Sequence, residues 1–199
     1  MKPNYVKAIA LIERNFCPLN EEEKYTLCGI MHPVRFNKHK IIIKQGDIAT
    51  TFYFIEKGMC HTYMMKNNKP CTLQFDYDGH FIILMESFLF EMPSELTVAA
   101  LESMRCYAIE KAEFEQAAHT RVNLQLLLRK VIEQNILRLT RYRRLMRNEN
   151  SAQRYQIMCQ YHPEVIRRAP LVHIASMLHM APATLSRTRK AQWESQEAL

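Results

Sequence analysis

The sequence predicts an α+β protein in which an antiparallel β-barrel of jelly-roll type precedes a long helix and a C-terminal, all-α helix-turn-helix unit. Three features of its 199 residues carry this prediction. All four glycines fall between Gly29 and Gly79, which concentrates tight turns in one stretch. Residues 111–160 contain neither Gly nor Pro and are rich in strong helix formers. Charge is divided unevenly: residues 1–120 hold 13 Lys and Arg against 15 Asp and Glu, and residues 121–199 hold 14 against 5. The expected units are a barrel with its leading helices over residues 1–112, a dimerisation helix over 113–147 and a helix-turn-helix unit over 148–199.

The elements follow in order. Tyr5–Phe16 and Glu21–Met31 read as helices, with Asn20 as N-cap and Glu21, Glu22 and Glu23 in the first turn, where the helix dipole favours carboxylates. The segments HKIIIKQ, TTFYFIEK, MCHTYMMK, CTLQFDY and HFIILM are rich in β-branched and aromatic residues. They are separated by Gly46-Asp47, Lys57-Gly58, Asn67-Asn68 and Asp78-Gly79, the pattern of a compact antiparallel barrel. A short helical piece is expected around Glu86 to Phe90, and LTVAALESMRCYAIEK supplies two more strands.

From Lys111 the pattern is helical. Leu124, Leu128, Val131, Asn135, Leu139, Tyr142 and Met146 recur at gaps of three and four, the spacing of a dimer seam on which Asn135 sets register. Leu126, Leu127 and Ile136 lie off that stripe, so one face is expected against the barrel and one against a partner. Breaks at Tyr161-His162-Pro163 and Ala169-Pro170 bound shorter helices.

Composition narrows the function. Hydrophobic residues make up 48% and charged residues 24%, which argues against disorder. No apolar run reaches membrane-spanning length and MKPNYVKA does not read as a signal peptide, so a cytoplasmic protein without a membrane partner is expected. Six cysteines with no CxxC pair read as reduced thiols. The basic C-terminal part, within a net charge of +7, suits a polyanionic partner.

The run PLVHIASMLHMAPATLSRTRK, residues 170–190, names that partner class. Leu171, Ile174, Ala175 and Leu178 form the apolar face of one short helix, His179 to Pro182 break it, and Thr184 to Lys190 start a second helix with Leu185 inward. Pro182 suits the start of that helix, and Met180 is expected to plug the gap between the two. This is the order of a helix-turn-helix that offers one face to a DNA major groove. Arg187 is the expected base contact, since arginine reads guanine through two hydrogen bonds. Thr184 and Ser186 are secondary candidates, and Arg189 and Lys190 suit phosphates. Arg141, Arg143, Arg144, Arg167 and Arg168 are further candidates for the DNA backbone.

Residues 20 to 190 resemble the Crp/Fnr transcription regulators, whose sensor is a barrel of the cyclic-nucleotide-binding type. The resemblance rests on Gly46-Asp47, FYFIEKG ending at Gly58, Asp78-Gly79-His80-Phe81, Glu86-Ser87-Phe88, Pro93-Ser94 before TVAAL, and ASMLHMAPATLSRTRK. It implies a homodimer on a two-fold-symmetric duplex, with a small-molecule effector and RNA polymerase as further partners. The family's nucleotide binders carry an arginine just after a proline in their phosphate-binding cassette. Here Ser94 follows Pro93 and Glu95 follows it, so neither charge nor repulsion favours a cyclic phosphate. The expectation is therefore no cofactor and no binding of cAMP or cGMP. Glu86, Ser87, Ser94 and Thr97 could line a pocket for another effector or close the cassette turn. The expected wing strands after the second helix are missing, because AQWESQEAL is short and polar.

Rival readings are weaker. Cys17 and Cys28 do not cluster as iron–sulfur ligands, and Cys60 and Cys71 could meet as a redox pair. His61, His80 and Glu86 could serve a haem sensor or a cupin-like metalloenzyme, but no HxH pair supplies two ligands from one strand face. No catalytic triad or phosphate-loop motif is present, so the chain does not read as an enzyme.

Overall fold

The computed structural model describes residues 5–147 and 150–197. Helices α1 (Val6–Asn15) and α2 (Glu21–Ile30) lead the chain. The Asn20 cap is a full capping box. Asn20 Oδ1 accepts the Glu23 N–H, and Glu23 Oε2 accepts the Asn20 N–H, both at 2.9 Å.

Eight strands follow: β1 (His32–Phe36), β2 (Ile41–Ile43), β3 (Thr51–Lys57), β4 (Met59–Lys66), β5 (Lys69–Tyr77), β6 (Phe81–Ile82), β7 (Thr97–Ala100) and β8 (Met104–Glu110). They form two antiparallel sheets, ordered β1-β8-β3-β6 and β2-β7-β4-β5. The short helix α3 (Met85–Phe90) lies between β6 and β7. Strand β1 is unexpected from sequence because it holds Pro33. An edge position, paired only with β8, tolerates a residue that cannot donate to a ladder. Asn67 and Asn68 take φ of 51° and 59°, the two left-handed positions of a tight hairpin. Gly58 is required twice over: its φ is +122°, and a Cβ there would stand 2.6 Å from Met104 Cγ.

Among the described residues six helices follow: α4 (Lys111–Ala118), α5 (Val122–Met146), α6 (Ser151–Tyr161), α7 (Pro163–Arg168), α8 (Leu171–Met177) and α9 (Pro182–Glu197). The single helix expected over 113–147 is thus divided, although no Gly or Pro divides it. Side chains cap the break instead. Gln125 Nε2 donates to the Ala118 and His119 carbonyls at 2.9 and 3.2 Å, and Glu23 accepts from the Asn123 N–H and Nδ2 at 3.1 and 2.8 Å. Burial alone would raise the Glu23 carboxyl pKa; the hydrogen bonds from Asn123 and Asn20 outweigh it and hold it below the usual range.

The expected dimer seam also needs correction. Leu124 and Val131 are buried in the core of this chain with Phe52, Phe81 and Leu127, and Asn135 is buried beside them, donating to the Val131 carbonyl at 3.0 Å. Of the two faces foreseen for the long helix, the barrel covers one, and this stripe belongs largely to it. Ile136 and Leu139 are exposed, and Ile132 is half-buried. A second core fills the barrel around Ile55, Val98 and Met104. A third joins Met59 and Phe75 of the barrel to Leu145, Met158, Ile174 and Leu185, so the C-terminal helices pack directly on the β4–β5 face. Among the described residues no helix is long and apolar enough to cross a membrane.

Candidate functional site

The pair α8–α9 forms because Ile174, Ala175, Leu178 and Leu185 are all buried at their crossing, and Ala175 is small enough for close approach. No glycine is present in the turn. His179 takes the left-handed position with φ of 52°, the Met180 N–H reaches the Ala175 carbonyl at 3.0 Å, and the His179 N–H reaches Ser176 at 3.1 Å. This is a Schellman motif with histidine where glycine is usual. The His179 ring is held by the Tyr142 hydroxyl of α5, 3.1 Å from Nε2. Met180 packs against the core as expected.

At 100° per residue, Ala183, Ser186, Arg187 and Lys190 share one face of α9, and all are exposed. Arg187 Nε rests on the Ala183 carbonyl at 3.3 Å, which aligns the side chain with the helix surface. Thr184 is half-buried on the flank, and its carbonyl receives the Thr188 hydroxyl at 3.0 Å. Arg189 is turned toward α6, beside the Tyr155 hydroxyl. The helix runs on to Glu197, where a wing would otherwise begin.

The other predicted arginines divide. Arg141, Arg143 and Arg144 are exposed along α5, and Arg167 pairs with Glu164 at 2.6 Å. Arg168 is not available to a DNA backbone. It is largely buried and pairs with Asp78 and Glu102 of the barrel, which fastens α7 to the turn before β6.

In the cassette segment the four predicted pocket residues do not converge. Glu86 is exposed on α3. Ser87 is buried, and its Oγ accepts the Ala49 N–H at 2.7 Å. The Ser94 hydroxyl donates to the Leu96 carbonyl at 3.1 Å and accepts its N–H at 3.0 Å, closing a local turn. Thr97 Oγ1 accepts the Gln45 N–H at 3.2 Å. Three hydroxyls are therefore engaged by backbone.

Two polar clusters escape sequence reasoning. At the first, Arg138 of α5 pairs with fully buried Asp76 of β5, and the Arg138 guanidinium lies 3.3 Å from His80 Nδ1. Gln74 Nε2 donates to Asp76 Oδ2 at 2.8 Å. Burial would raise the Asp76 pKa, but Arg138 and His80 outweigh it and hold the carboxyl low. The available signal was that Arg138 lies seven residues after Val131, at core spacing. At the second, His61 of β4 meets His173 of α8 with ring centroids 4.2 Å apart, and His61 Nδ1 lies 3.1 Å from Thr72 Oγ1. Ser176 Oγ accepts the Thr72 N–H at 3.0 Å and donates to the Pro70 carbonyl at 3.1 Å. Burial, then the neighbouring His173, pushes His61 down to about 3.

His61, His80 and Glu86 thus stand on three separate features, and among the described residues no three His, Cys, Asp or Glu side chains gather as a metal site. Cys60 pairs in register with Asp76 and Cys71 with Met64, so the two do not face one another as a redox pair.

Comparison with known proteins fits this geometry. Residues 33–121 match the cyclic nucleotide-binding domain family. The cAMP-dependent protein kinase regulatory subunit of Dictyostelium discoideum is 32% identical over 103 residues, 51% of this chain and 31% of that protein. The chain therefore spans about a third of that relative's length. Over far more of the chain, FixK2 from Bradyrhizobium japonicum superposes with a TM-score of 0.70 at 16% identity, covering 84% of this chain and 86% of that one. A Crp/Fnr-family transcriptional regulator from Eubacterium rectale gives 0.65 at 16% identity, covering 88% and 85%. The chain has the fold of the Crp/Fnr regulators. In this Crp/Fnr fold, Pro93-Ser94 stands where the resemblance implies Pro-Arg, and the Ser94 hydroxyl turns to the backbone of Leu96. The FixK2 likeness, covering 84% of this chain, extends into the helices after the barrel.

Proposed function

We propose that the chain is a sequence-specific DNA-binding transcriptional regulator that acts as a cytoplasmic homodimer and is not an enzyme. The exposed row of Ser186, Arg187 and Lys190 on α9, carried by a Schellman-closed helix pair, supports this best. Arg187 reads a base, Ser186 and Thr184 assist, and Lys190 contacts phosphate, with Arg189 a flanking phosphate contact. Pairing of two α5 helices through Ile132, Ile136 and Leu139 sets two α9 helices about 34 Å apart, one per successive major groove. The working units remain residues 1–112 as sensor, 113–147 as the dimerisation region, with pairing confined to α5, and 148–199 as DNA reader. RNA polymerase is the downstream partner that the family resemblance implies.

The barrel does not take cAMP or cGMP in the cassette manner, because Ser94 brings no positive charge and its hydroxyl is engaged. The Dictyostelium relative favours the opposite reading, and calorimetric titration with cAMP decides between them. Micromolar affinity would overturn the present one. The functional proposal is tested by selecting bound duplexes from random DNA without added ligand, with oligomeric state measured in parallel. A two-fold-symmetric consensus held by a dimer is expected. A monomer that enriches no sequence overturns the proposal.

A further inference from the structure

Where β5, the C-terminal half of α5, α6 and α8 meet, the chain leaves a partly open pocket with about 40 Å³ of water-accessible room, within about 560 Å³ of atom-free space that includes open solvent. One water needs about 10–15 Å³ of such space, so the water-accessible room suits a polar group of about three heavy atoms. Its polar lining is cationic. Arg138 is paired through Nη1 with Asp76, while its Nε is buried without a hydrogen-bond partner among the described residues. A buried donor left without a partner is costly and calls for an acceptor. Arg141 stands at the mouth with its guanidinium over the Tyr161 ring, 5.5 Å from the centroid. His162 completes the set. Burial first, then His80, Arg141 and Arg138, push its pKa down to about 4, so it lines the cavity as a neutral imidazole able to donate one hydrogen bond.

The charge balance selects the ligand. Asp76 already compensates one guanidinium, and the Gln74 amide is engaged with Asp76, which leaves the charge of Arg141. A monoanion matches this and a dianionic phosphate over-fills it. The remaining walls, among them Phe75, Leu145, Ile157 and Met158, are apolar. We propose that this cleft binds a small organic monocarboxylate, an aliphatic or aryl acid, with its carboxylate on Arg138, Arg141 and His162 and its hydrocarbon body against Phe75, Ile157 and Met158. The site draws its walls from the barrel, the long helix and the reader helices, so its occupant braces the reader against the barrel. Only this last, regulatory step rests on the DNA-binding reading.

The test uses the full chain and calorimetric titration with hexanoate and benzoate, with hexan-1-ol, hexylamine and inorganic phosphate as controls. Both acids are expected to bind with Kd on the order of 0.1–1 mM, and the controls at least about 10-fold more weakly. Arg141→Gln, at an exposed position, should weaken both acids by about 10-fold, and Ile157→Trp should narrow the cleft and abolish binding. Melting curves confirm that each variant folds; if Ile157→Trp does not, Arg141→Gln carries the test alone. Absence of heat with both acids, equal affinity for hexan-1-ol, or indifference to Arg141→Gln overturns the site. A parallel duplex-binding measurement with and without hexanoate separates the two readings. Acid binding without DNA affinity under either condition overturns only the regulator, and DNA affinity without acid binding overturns only the site.

Discussion

The cassette segment from α3 into β7 and the outer face of α9 hold similar polar side chains in opposite settings. In the cassette, Ser87, Ser94 and Thr97 each meet a backbone group within 3.2 Å, so their hydroxyls complete turns in a buried wall. On α9, Ser186 and Arg187 stand at the surface, and the contact Arg187 makes is to a carbonyl of its own helix. A serine in a motif is thus a backbone staple or an exposed side chain according to what surrounds it. Removing a staple should cost stability, and removing a surface reader should cost binding.

That distinction can be broken in four ways, in descending order of effect. Asp76→Ala leaves Arg138 buried without its counter-ion, and urea unfolding should show a loss of about 3–5 kcal/mol. A loss below about 1 kcal/mol would mean that water reaches the pair. Acid should act next, through His61. Its pKa lies below the ordinary 6.5, so the native contact favours the neutral ring; that stability is complete above pH 6.5 and is lost as pH falls toward 3. The groups facing it are Tyr63 on its own strand, Thr72 on β5 and His173 on α8, itself lowered by burial and by His39. At pH 5 the loss should be about 2 kcal/mol, and His61→Gln should flatten the pH profile of unfolding.

Ser87→Ala and Arg187→Ala form the sharpest pair. Ser87→Ala strands the Ala49 N–H and should lower stability by about 1–3 kcal/mol. Arg187→Ala should leave stability within about 0.5 kcal/mol while weakening specific DNA by about 1–3 kcal/mol and relaxing sequence preference. Equal weakening on specific and random duplexes would make Arg187 a phosphate contact. The smallest effect is expected from Arg189→Ala, which should weaken all duplexes alike and reduce the salt slope by about 1. No change in slope would make Arg189 a partner of Tyr155 and nothing more.

Much of the fold was legible because its signals are local. The Asn20 capping box, the Asn67-Asn68 hairpin and the start of α9 at Pro182 follow from residues within a few positions of one another. Strand β1 was not legible, since Pro33 argues against a strand until its edge position is known. The residues singled out from sequence do lie on α9, with Ser186, Arg187 and Lys190 on one exposed face and Thr184 and Arg189 flanking it.

By itself the sequence determined the order of barrel, long helix and helix-turn-helix, and the residue types that α9 presents, because periodicity and turn chemistry act over single turns and strands. Only the tertiary structure decided which face of α5 the barrel buries, that α4 and α5 separate at caps lent by Glu23 and Gln125, and that Arg138 with Asp76 joins α5 to the barrel while His61 with His173 joins α8 to it. Apart from the Gln125 caps, which reach back six and seven positions, those outcomes depend on groups brought together from 62 or more positions apart, as with Asp76 and Arg138, and no local pattern encodes a pairing made across that distance.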